Sequence, residues 1–199
     1  AIRLLQLSTL DLQQEIQEVT HAYAYGGAPL AIRTLNENFN LNIRDYVAVD
    51  FFNLEKIIDS INGVNIDVAQ NEVNLMNDYM NETARIEGKS ISRITSSGPQ
   101  TLNGLQAVAY SRIRYTAGGD FKRTERQRTV LTAMLTKIQS LGATEFPSVV
   151  SKLLPLTETS MSSMDVMSLG TKVIASKTTA LEQERFPVDG RSEERRVGK

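Results

Sequence analysis

The stretch that decides both the fold and the site of this chain is RIRYTAGGDFKRTERQR, residues 112–128. It holds six basic residues and two acidic ones, in a chain whose formal net charge is −1. Five of the six basic residues are arginines, and a guanidinium group binds phosphate or carboxylate in a two-pronged geometry. The stretch therefore predicts a site for an anion.

The second half of this stretch predicts the start of a helix after the glycine pair at 118–119. Asp120 is a suitable N-cap, and the apolar residues that follow recur at helical spacing. These residues are Val130, Leu131, Met134, Leu135 and Ile138. At 3.6 residues per turn, Arg123 lies inside this apolar stripe, whereas Arg126 and Arg128 flank it. Because a helix N-terminus favours anions, an inward arginine there predicts a phosphate pocket.

The first half follows a shorter apolar stripe, which consists of Leu105, Val108 and Ala109. This stripe begins after the turn-like pair at 103–104, and Arg112 is its next member at helical spacing. If the chain is instead extended from Ser111 onward, Arg112 and Arg114 share one face of a strand. Either arrangement lets the arginines converge. The alternative is a solvated basic face that pairs with acids such as Glu125.

The composition is that of one ordinary globular domain, with 199 residues of which 41% are hydrophobic and 23% charged. The net charge argues against a general nucleic-acid binder, and no apolar run approaches the roughly 18 residues of a membrane span. The absence of cysteine excludes disulfides, thiol catalysis and cysteine-ligated zinc. The single histidine, His21, excludes a multi-histidine metal site, and we interpret it as structural.

The rest of the pattern alternates strands with helices. Strands are predicted over 1–7, 46–52 and 64–68, and helices over 29–39, 54–61, 104–112, from 120 onward, 148–156 and 164–180. A glycine-containing loop is predicted at 21–27. Asn53 is predicted to cap a helix, and the Asn-Gly pair at 62–63 is predicted to end it. Residues 70–81 and 83–99 favour no element. This alternation predicts an α/β fold with helices on both faces of a central sheet.

The two ends of the chain carry signals of their own. Residues 1–185 are predicted to form one domain and residues 186–199 a disordered tail. The last nine residues, 191–199, resemble the translation of a common sequencing adapter, and a genuine disordered basic tail is the alternative. The chain opens on Ala1 as a strand already under way, so the absence of a signal or an anchor at this end is uninformative.

Several segments, taken together, resemble the LytR-CpsA-Psr family. They are HAYAYGG at 21–27, YVAVDF at 46–51, IID at 57–59, GVNIDV at 63–68, LNGLQA at 102–107, the Arg-x-Arg at 112–114 and DFKRTERQ at 120–127. They cover about residues 1–140 in the order in which the family has them. The resemblance is therefore specific, since it rests on a series of motifs and not on one.

The resemblance implies a bacterial protein held by an N-terminal transmembrane helix at the outer face of the cytoplasmic membrane. Members of the family are phosphotransferases that move a glycopolymer, such as teichoic acid or capsule, from an undecaprenyl-pyrophosphate carrier to peptidoglycan. The implied fold is a three-layer α/β/α arrangement with a central mixed β-sheet and a hydrophobic groove for the lipid. The resemblance further implies magnesium, Mg2+, as the cofactor at the pyrophosphate.

The resemblance also assigns site residues, by motif. The pyrophosphate is bound by Arg112, Arg114, Arg123, Arg126 and Gln127, of which Arg123 and Arg112 are the catalytic ones. The aspartates that hold magnesium are expected upstream of residue 1, so no metal ligand is assigned within this chain. The family's Ile-Pro-Arg-Asp type of motif is absent after the first strand, where residues 7–11 read LSTLD.

Two other classes of function compete with the transferase. One is a non-catalytic binder of lipid-linked polyanionic glycopolymer. The other is a transcriptional regulator, which we disfavour because no helix-turn-helix with exposed basic positions is visible and the body of the chain is acidic. No nucleic-acid partner is expected.

Overall fold

The computed structural model of the protein describes residues 9–116 and 119–176, and only the backbone in residues 9–16 and at positions 120 and 143. The chain divides into two compact units, with a boundary between Tyr46 and Val47. The strand predicted at 1–7 and the tail predicted at 186–199 lie outside the described residues. None of the helices in the described part of the chain combines the length and the apolar character of a membrane span.

The first unit is dominated by the helical segment α1, Thr9–Phe39, which is interrupted at Gly27. Gly27 takes φ 63° and ψ −159°, a backbone conformation that glycine adopts without a steric penalty. The loop predicted over 21–27 is therefore wrong, because helix continues up to that single glycine. Pro29 occupies the first turn after the interruption, as expected for a residue that lacks an N–H. His21 is exposed and makes an edge contact with Tyr25 at 6.4 Å between ring centroids.

The second unit carries five helices and four short strands within its described residues. In chain order they are β1 (Val47–Ala48), α2 (Phe51–Ser60), β2 (Val64–Val68), α3 (Val73–Glu87), β3 (Gly98–Leu102), α4 (Gly104–Arg112), α5 (Gly119–Leu153), a 3-10 turn (Leu154–Leu156), β4 (Glu158–Thr159) and α6 (Ser163–Ser176). Helix α5 is interrupted at Gly142, which has φ 76°. The segments predicted at 148–156 and 164–180 are confirmed as helical up to residue 176.

The strands form two separate antiparallel pairs in the described part of the chain. β1 pairs with β4, and β2 pairs with β3 so that Val64 lies opposite Leu102. The α/β class is confirmed, and the described residues contribute these two antiparallel pairs to it where one central mixed sheet was expected. A mixed sheet needs at least one parallel neighbour, and each described strand has only an antiparallel one.

The strand β2 is buried on one face and exposed on the other. Val64, Ile66 and Val68 are almost fully buried, whereas Asn65 and Asp67 between them are exposed. On the exposed face, the Thr101 hydroxyl donates to the side-chain oxygen of Asn65 at 2.7 Å. Strict alternation over five residues is the pattern of a strand that is buried on one side only.

Helix α2 begins earlier than the sequence indicated. Asp50 is the N-cap, and its carboxylate accepts the backbone N–H of Asn53 at 2.7 Å. The cap predicted at Asn53 is therefore wrong, and the strand predicted over 46–52 shrinks to Val47–Ala48. The predicted helix stop is confirmed, since Asn62 and Gly63 both take positive φ, 61° and 78°.

Helix α3 lies where the sequence favoured no element. Its buried residues include Val73, Met76, Met80 and Ala84, which recur every three or four positions. Polar residues between them hid this stripe. Asn77 is also buried, and its side-chain amide bonds both the N–H and the C=O of Ile94, which fixes the connection from α3 to β3.

Helix α4 is the centre of the second unit and packs against α2, α3 and α5. Its start is a reciprocal cap in which Asn103 accepts the N–H of Gln106 and donates its own N–H to the Gln106 side chain. Gly104 is required, because a Cβ there would overlap the backbone carbonyl of Glu55 on α2. Since α4 extends to Arg112, the extended alternative from Ser111 is wrong.

Candidate functional site

Three of the arginines singled out in the sequence converge at a cavity of about 600 Å³, which we call the arginine cavity. It is lined by Phe51, Tyr79, Glu82, Arg112, Arg114, Tyr115, Arg123 and Gln127. These residues come from the first turn of α2, from α3, from the end of α4, from the connection to α5 and from α5. The structure therefore brings together four of the five predicted site residues, and their role in binding stays a prediction.

Arg112 ends α4 and is held on several sides. One terminal nitrogen donates to the Thr83 hydroxyl at 2.8 Å, and the other donates to the Glu82 carboxylate at 3.3 Å. The guanidinium carbon also lies 5.7 Å from the ring centroid of Phe51 and 5.2 Å from that of Tyr79. A cation over aromatic faces is attracted by their negative charge density. Arg112 is thus fixed in place before any ligand arrives, while 27% of its side chain remains exposed.

Arg114 and Arg123 approach the cavity from different elements. Arg114 lies with Tyr115 in the connection between α4 and α5, and both are exposed. Arg123 is half-buried on α5, one turn before Gln127 and on the same face of the helix. Three arginines and one carboxylate, Glu82, line the cavity, so its charge favours an anion.

Arg126 does not join this group. It is 5% exposed, and its Nε donates to the Glu72 carboxylate at 2.7 Å. Its terminal nitrogens donate to the backbone carbonyl of Ile113 at 3.2 Å and to the Thr116 hydroxyl at 2.9 Å. Arg126 lines a second, smaller cavity of about 240 Å³ together with Glu72 and Thr116. The sequence prediction that Arg126 shares a pocket with Arg112 is therefore wrong.

The prediction for Arg126 failed because α5 buries a different face from the one that its apolar stripe indicated. Its buried face runs through Arg126 and Val130, whereas Leu131, which the sequence placed in the inner stripe, is 53% exposed. The predicted N-cap is also displaced, because α5 begins at Gly119 and Asp120 lies within its first turn. Arg126 is buried because Glu72, 54 residues earlier, supplies a carboxylate at that place.

The alternative interpretation, in which arginines pair with Glu125 on a solvated face, does not describe the cavity. Glu125 instead forms an ion pair with Lys122 at 2.7 Å, and both side chains are about half exposed. The hydrogen bond from Lys122 holds the pKa of the Glu125 carboxyl below its usual value. Such an exposed pair contributes little to stability.

Sequence reasoning missed the residues that position Arg112. The pattern places Phe51 in a strand, and it assigns no element to the segment of α3 that carries Tyr79, Glu82 and Thr83. Their spacing of three and four residues is the available signal, because it puts all three on adjacent turns of one helix face. Within the described residues no group of three histidine, aspartate or glutamate side chains converges as a metal site.

Comparison with known proteins gives a family and several relatives. The model of the LytR_cpsA_psr family matches residues 4–197. The polyisoprenyl-teichoic acid–peptidoglycan teichoic acid transferase TagU of Enterococcus faecalis is 31% identical over 132 residues, which are 66% of this chain and 38% of that protein. The polyisoprenyl-teichoic acid–peptidoglycan teichoic acid transferase TagT of Bacillus subtilis is 33% identical over 124 residues, which are 62% of this chain and 36% of that protein. Regulatory protein MsrR of Staphylococcus aureus is 32% identical over 119 residues, 59% of this chain and 32% of that one.

Solved structures show the same fold. TagT of Bacillus subtilis superposes with a TM-score of 0.60 at 27% identity, over 78% of this chain and 54% of that one. TagT bound to LI-WTA gives a TM-score of 0.61 at 26% identity, with the same coverage of 78% and 54%. The chain thus spans less than two-fifths of these curated relatives and about half of the solved chains.

Proposed function

The chain belongs to the LytR-CpsA-Psr family, and on that premise we propose that it is a phosphotransferase that moves a glycopolymer of the teichoic acid or capsule type from undecaprenyl-pyrophosphate to peptidoglycan. The observation that carries the proposal is the arginine cavity, in which Arg112, Arg114, Arg123 and Gln127 face one space of about 600 Å³. The transferase names of TagU and TagT support the same reaction class.

The proposed chemistry asks little of the protein except position and charge. A hydroxyl of the peptidoglycan sugar attacks the phosphorus next to the glycopolymer, the bridging P–O bond breaks, and the lipid monophosphate leaves. The proton of the attacking hydroxyl passes to solvent. Phosphoryl transfer is accelerated mainly by alignment and by groups that offset negative charge. Arginines supply this without a histidine or cysteine nucleophile.

The three cavity arginines have separate roles in this scheme. Arg112, already fixed by Thr83, Glu82 and two aromatic rings, provides an oriented positive charge at one wall. Arg114 and Arg123 provide two further guanidinium groups from separate elements, so that the pyrophosphate is gripped from more than one side. The hydrophobic groove for the polyprenyl chain stays a prediction from the resemblance.

Magnesium belongs to the same proposal, with ligands upstream of residue 1. The described residues themselves do not fit a magnesium site, because the cavity has one acid, Glu82, and it is paired with Arg112. Magnesium prefers several oxygen ligands in octahedral geometry. The cavity residues therefore bind and orient the pyrophosphate, and holding the metal is not among their roles.

The cellular setting is proposed on the same basis. A transferase of this class meets both of its substrates at the outer face of the bacterial cytoplasmic membrane, next to the cell wall. The names of TagU and TagT, which include peptidoglycan, support a role in the cell envelope. The anchoring helix that the family resemblance implies would lie outside the described residues.

The test is a calorimetric titration with a short-chain polyprenyl pyrophosphate. Arg123→Ala should weaken binding by about 1.5–3 kcal/mol, the usual scale for a charge-assisted hydrogen bond. Arg123→Lys should recover only part of this loss, because an ammonium group lacks the two-pronged geometry. Arg93, an exposed arginine between α3 and β3 that does not line the cavity, provides the matched control Arg93→Ala.

Equal affinity of the wild type and Arg123→Ala would remove the phosphate-binding role of this residue. A turnover assay on a lipid-pyrophosphate donor, with and without magnesium, then separates the transferase from a non-catalytic binder. The assay is run on a protein that also includes the upstream segment expected to hold the magnesium ligands, and binding without turnover by that protein would favour the binder.

A further inference from the structure

The guanidinium group of Arg126, on α5, bonds two other parts of the second unit. It bonds Glu72, which follows β2, and it bonds both Ile113 and Thr116 in the connection between α4 and α5. The other carboxylate oxygen of Glu72 accepts the backbone N–H of Ala69 at 2.9 Å. Glu72 is therefore fixed through both of its oxygens and holds Arg126 in one orientation.

The two contacts to the connection enclose the part of it that lines the arginine cavity. Ile113 is fully buried and offers its carbonyl, and Thr116 offers its hydroxyl. Between them lie Arg114 and Tyr115, which both line the cavity. Arg126 thus holds both ends of the four-residue segment 113–116, which we call the Arg114 segment.

Arg126 also lies on α5, the helix that carries Arg123, another of the cavity arginines. On α5 it lies three residues after Arg123 and directly before Gln127, both of which line the arginine cavity. The same side chain that holds the Arg114 segment therefore belongs to the element that presents Arg123. A movement of the segment away from α5 has to break contacts of Arg126.

We propose that Arg126, held by Glu72, is a positioning residue that fixes the Arg114 segment at a set distance from Arg123, so that Arg114 and Arg123 grip one anion. The nature of that anion, a polyprenyl pyrophosphate, rests on the proposed function above. Binding to a prearranged site avoids the entropic cost of ordering a side chain and a segment at the moment of contact. Arg126 itself does not touch the ligand, because it is 5% exposed and its three nitrogens are all engaged.

The residue type fits this role. Arginine presents its donors in a rigid planar fork, which can reach three acceptors in fixed directions at once. Lysine offers one mobile ammonium group and cannot bridge a carboxylate, a carbonyl and a hydroxyl that lie in these three directions. A positioning role therefore requires arginine at 126, whereas simple charge compensation of Glu72 does not.

A double-mutant cycle on the whole 199-residue chain tests the proposal. Thr116→Val has nearly the same shape and removes one contact of Arg126 while its ion pair with Glu72 stays. It should weaken binding of geranylgeranyl pyrophosphate roughly 3- to 10-fold at a temperature where the variant is still fully folded. In the Arg114→Ala background the same substitution should change affinity less than about 2-fold, because the residue being positioned is gone.

Arg126→Lys gives a second measurement. If lysine compensates Glu72 and the protein melts as the wild type does, binding should still be weaker, again only when Arg114 is present. Wild-type affinity in both Thr116→Val and Arg126→Lys would overturn the positioning role. A loss of the same size with and without Arg114 would overturn it as well, because that result indicates direct contact or a general effect on the fold.

A measurement without ligand separates this proposal from the proposed function. The chain has no tryptophan, so Tyr115→Trp places a single fluorescent reporter in the Arg114 segment. Thr116→Val in that background should increase the nanosecond mobility seen in the fluorescence anisotropy decay. If the wild type does not bind the pyrophosphate, the proposed function is wrong. In that case the anisotropy decay by itself tests whether Arg126 positions the Arg114 segment. Unchanged anisotropy would then refute it.

Discussion

Arg123 and Arg126 lie three residues apart on one helix and have opposite surroundings. Arg123 is half-buried at the arginine cavity, while Arg126 is buried against Glu72, Ile113 and Thr116. A guanidinium group leaves water at low cost only where acceptors meet its nitrogens. The difference teaches that residue type alone does not define a binding arginine. The acceptors that the fold supplies decide which arginine faces a ligand and which one supports the structure.

The largest expected difference between Arg123 and Arg126 is in their contribution to the free energy of unfolding. Arg126→Ala should lower the free energy of unfolding by about 3–5 kcal/mol, because it leaves the Glu72 carboxylate buried without its cation. Urea denaturation followed by circular dichroism measures this. Arg93→Ala, at an exposed site, should stay within about 0.5 kcal/mol of the wild type. A loss below about 1 kcal/mol for Arg126→Ala would mean that the buried pair is not a structural support.

The second effect is on ligand binding, which should depend on Arg123 more than the free energy of unfolding does. Arg123→Ala should weaken polyprenyl pyrophosphate binding by about 1.5–3 kcal/mol while it changes the free energy of unfolding by less than about 1 kcal/mol. The same two measurements on one variant, titration and urea denaturation, provide the check. If Arg123→Ala instead unfolds the protein as readily as Arg126→Ala does, the contrast between cavity and core breaks down.

A smaller effect concerns the aromatic walls around Arg112. Tyr79→Leu removes a ring whose centroid is 5.2 Å from the guanidinium carbon and keeps most of the apolar volume. Binding should weaken by about 0.5–1 kcal/mol, the scale of a cation–π contact at a partly exposed site. Tyr79→Phe keeps the ring and serves as the control, which should bind like the wild type. Equal binding by the leucine variant would show that the hydrogen bonds alone position Arg112.

The smallest effect compares two buried acids. Glu72 has Arg126 and a backbone N–H as partners, whereas Glu55 on α2 is 3% exposed and one of its oxygens makes no hydrogen bond to the described residues. Burial raises the pKa of Glu55, and the nearby Glu87 carboxylate raises it further, although Lys89 at 3.6 Å partly offsets this. The folded protein therefore holds this proton more tightly than the unfolded chain does.

The sign for stability follows from that difference. From about pH 4.5 up to the raised folded pKa, the contribution of Glu55 to stability is lost as the pH rises. Glu55→Gln removes the penalty, so its melting temperature should exceed that of the wild type at about pH 7, and the difference should shrink below about pH 4. Thermal melts across this range measure it. A variant that melts lower than the wild type at neutral pH would mean that the Lys89 pair outweighs the cost of burial.

Local patterns account for the parts of the fold that the sequence predicted well. The strand at 64–68, the stop at 62–63 and the helix that begins after Asn103 each rest on neighbours within a few residues. The predictions failed where two local signals competed. Asp50 and Asn53 are both suitable caps, and in the structure Asp50 accepts hydrogen bonds from the backbone N–H and the side-chain amide of Asn53. Helix α3 was missed because its apolar stripe is interrupted by asparagines.

The candidate site also has residues that the sequence predicted and residues that it did not. That the stretch at 112–128 binds an anion, with Arg112, Arg114, Arg123 and Gln127 as its residues, is a prediction that the sequence made and that the shared cavity supports. The sequence did not place Arg126 correctly, because its partner Glu72 lies 54 residues away. Nor did it indicate Tyr79 and Thr83, whose distance from Arg112 along the chain is about thirty residues.

The sequence by itself determined the class of the fold, the family and the segment that carries the arginines, because these depend on residue type and on spacing along the chain. Only the tertiary structure decided which arginine faces the cavity and which faces the core. The physical reason is that the cost of burying a charge depends on the acceptors around it, and those acceptors come from distant parts of the chain. Packing of α5 against α4 and β2 places Arg126 beside Glu72 and leaves Arg123 at the cavity.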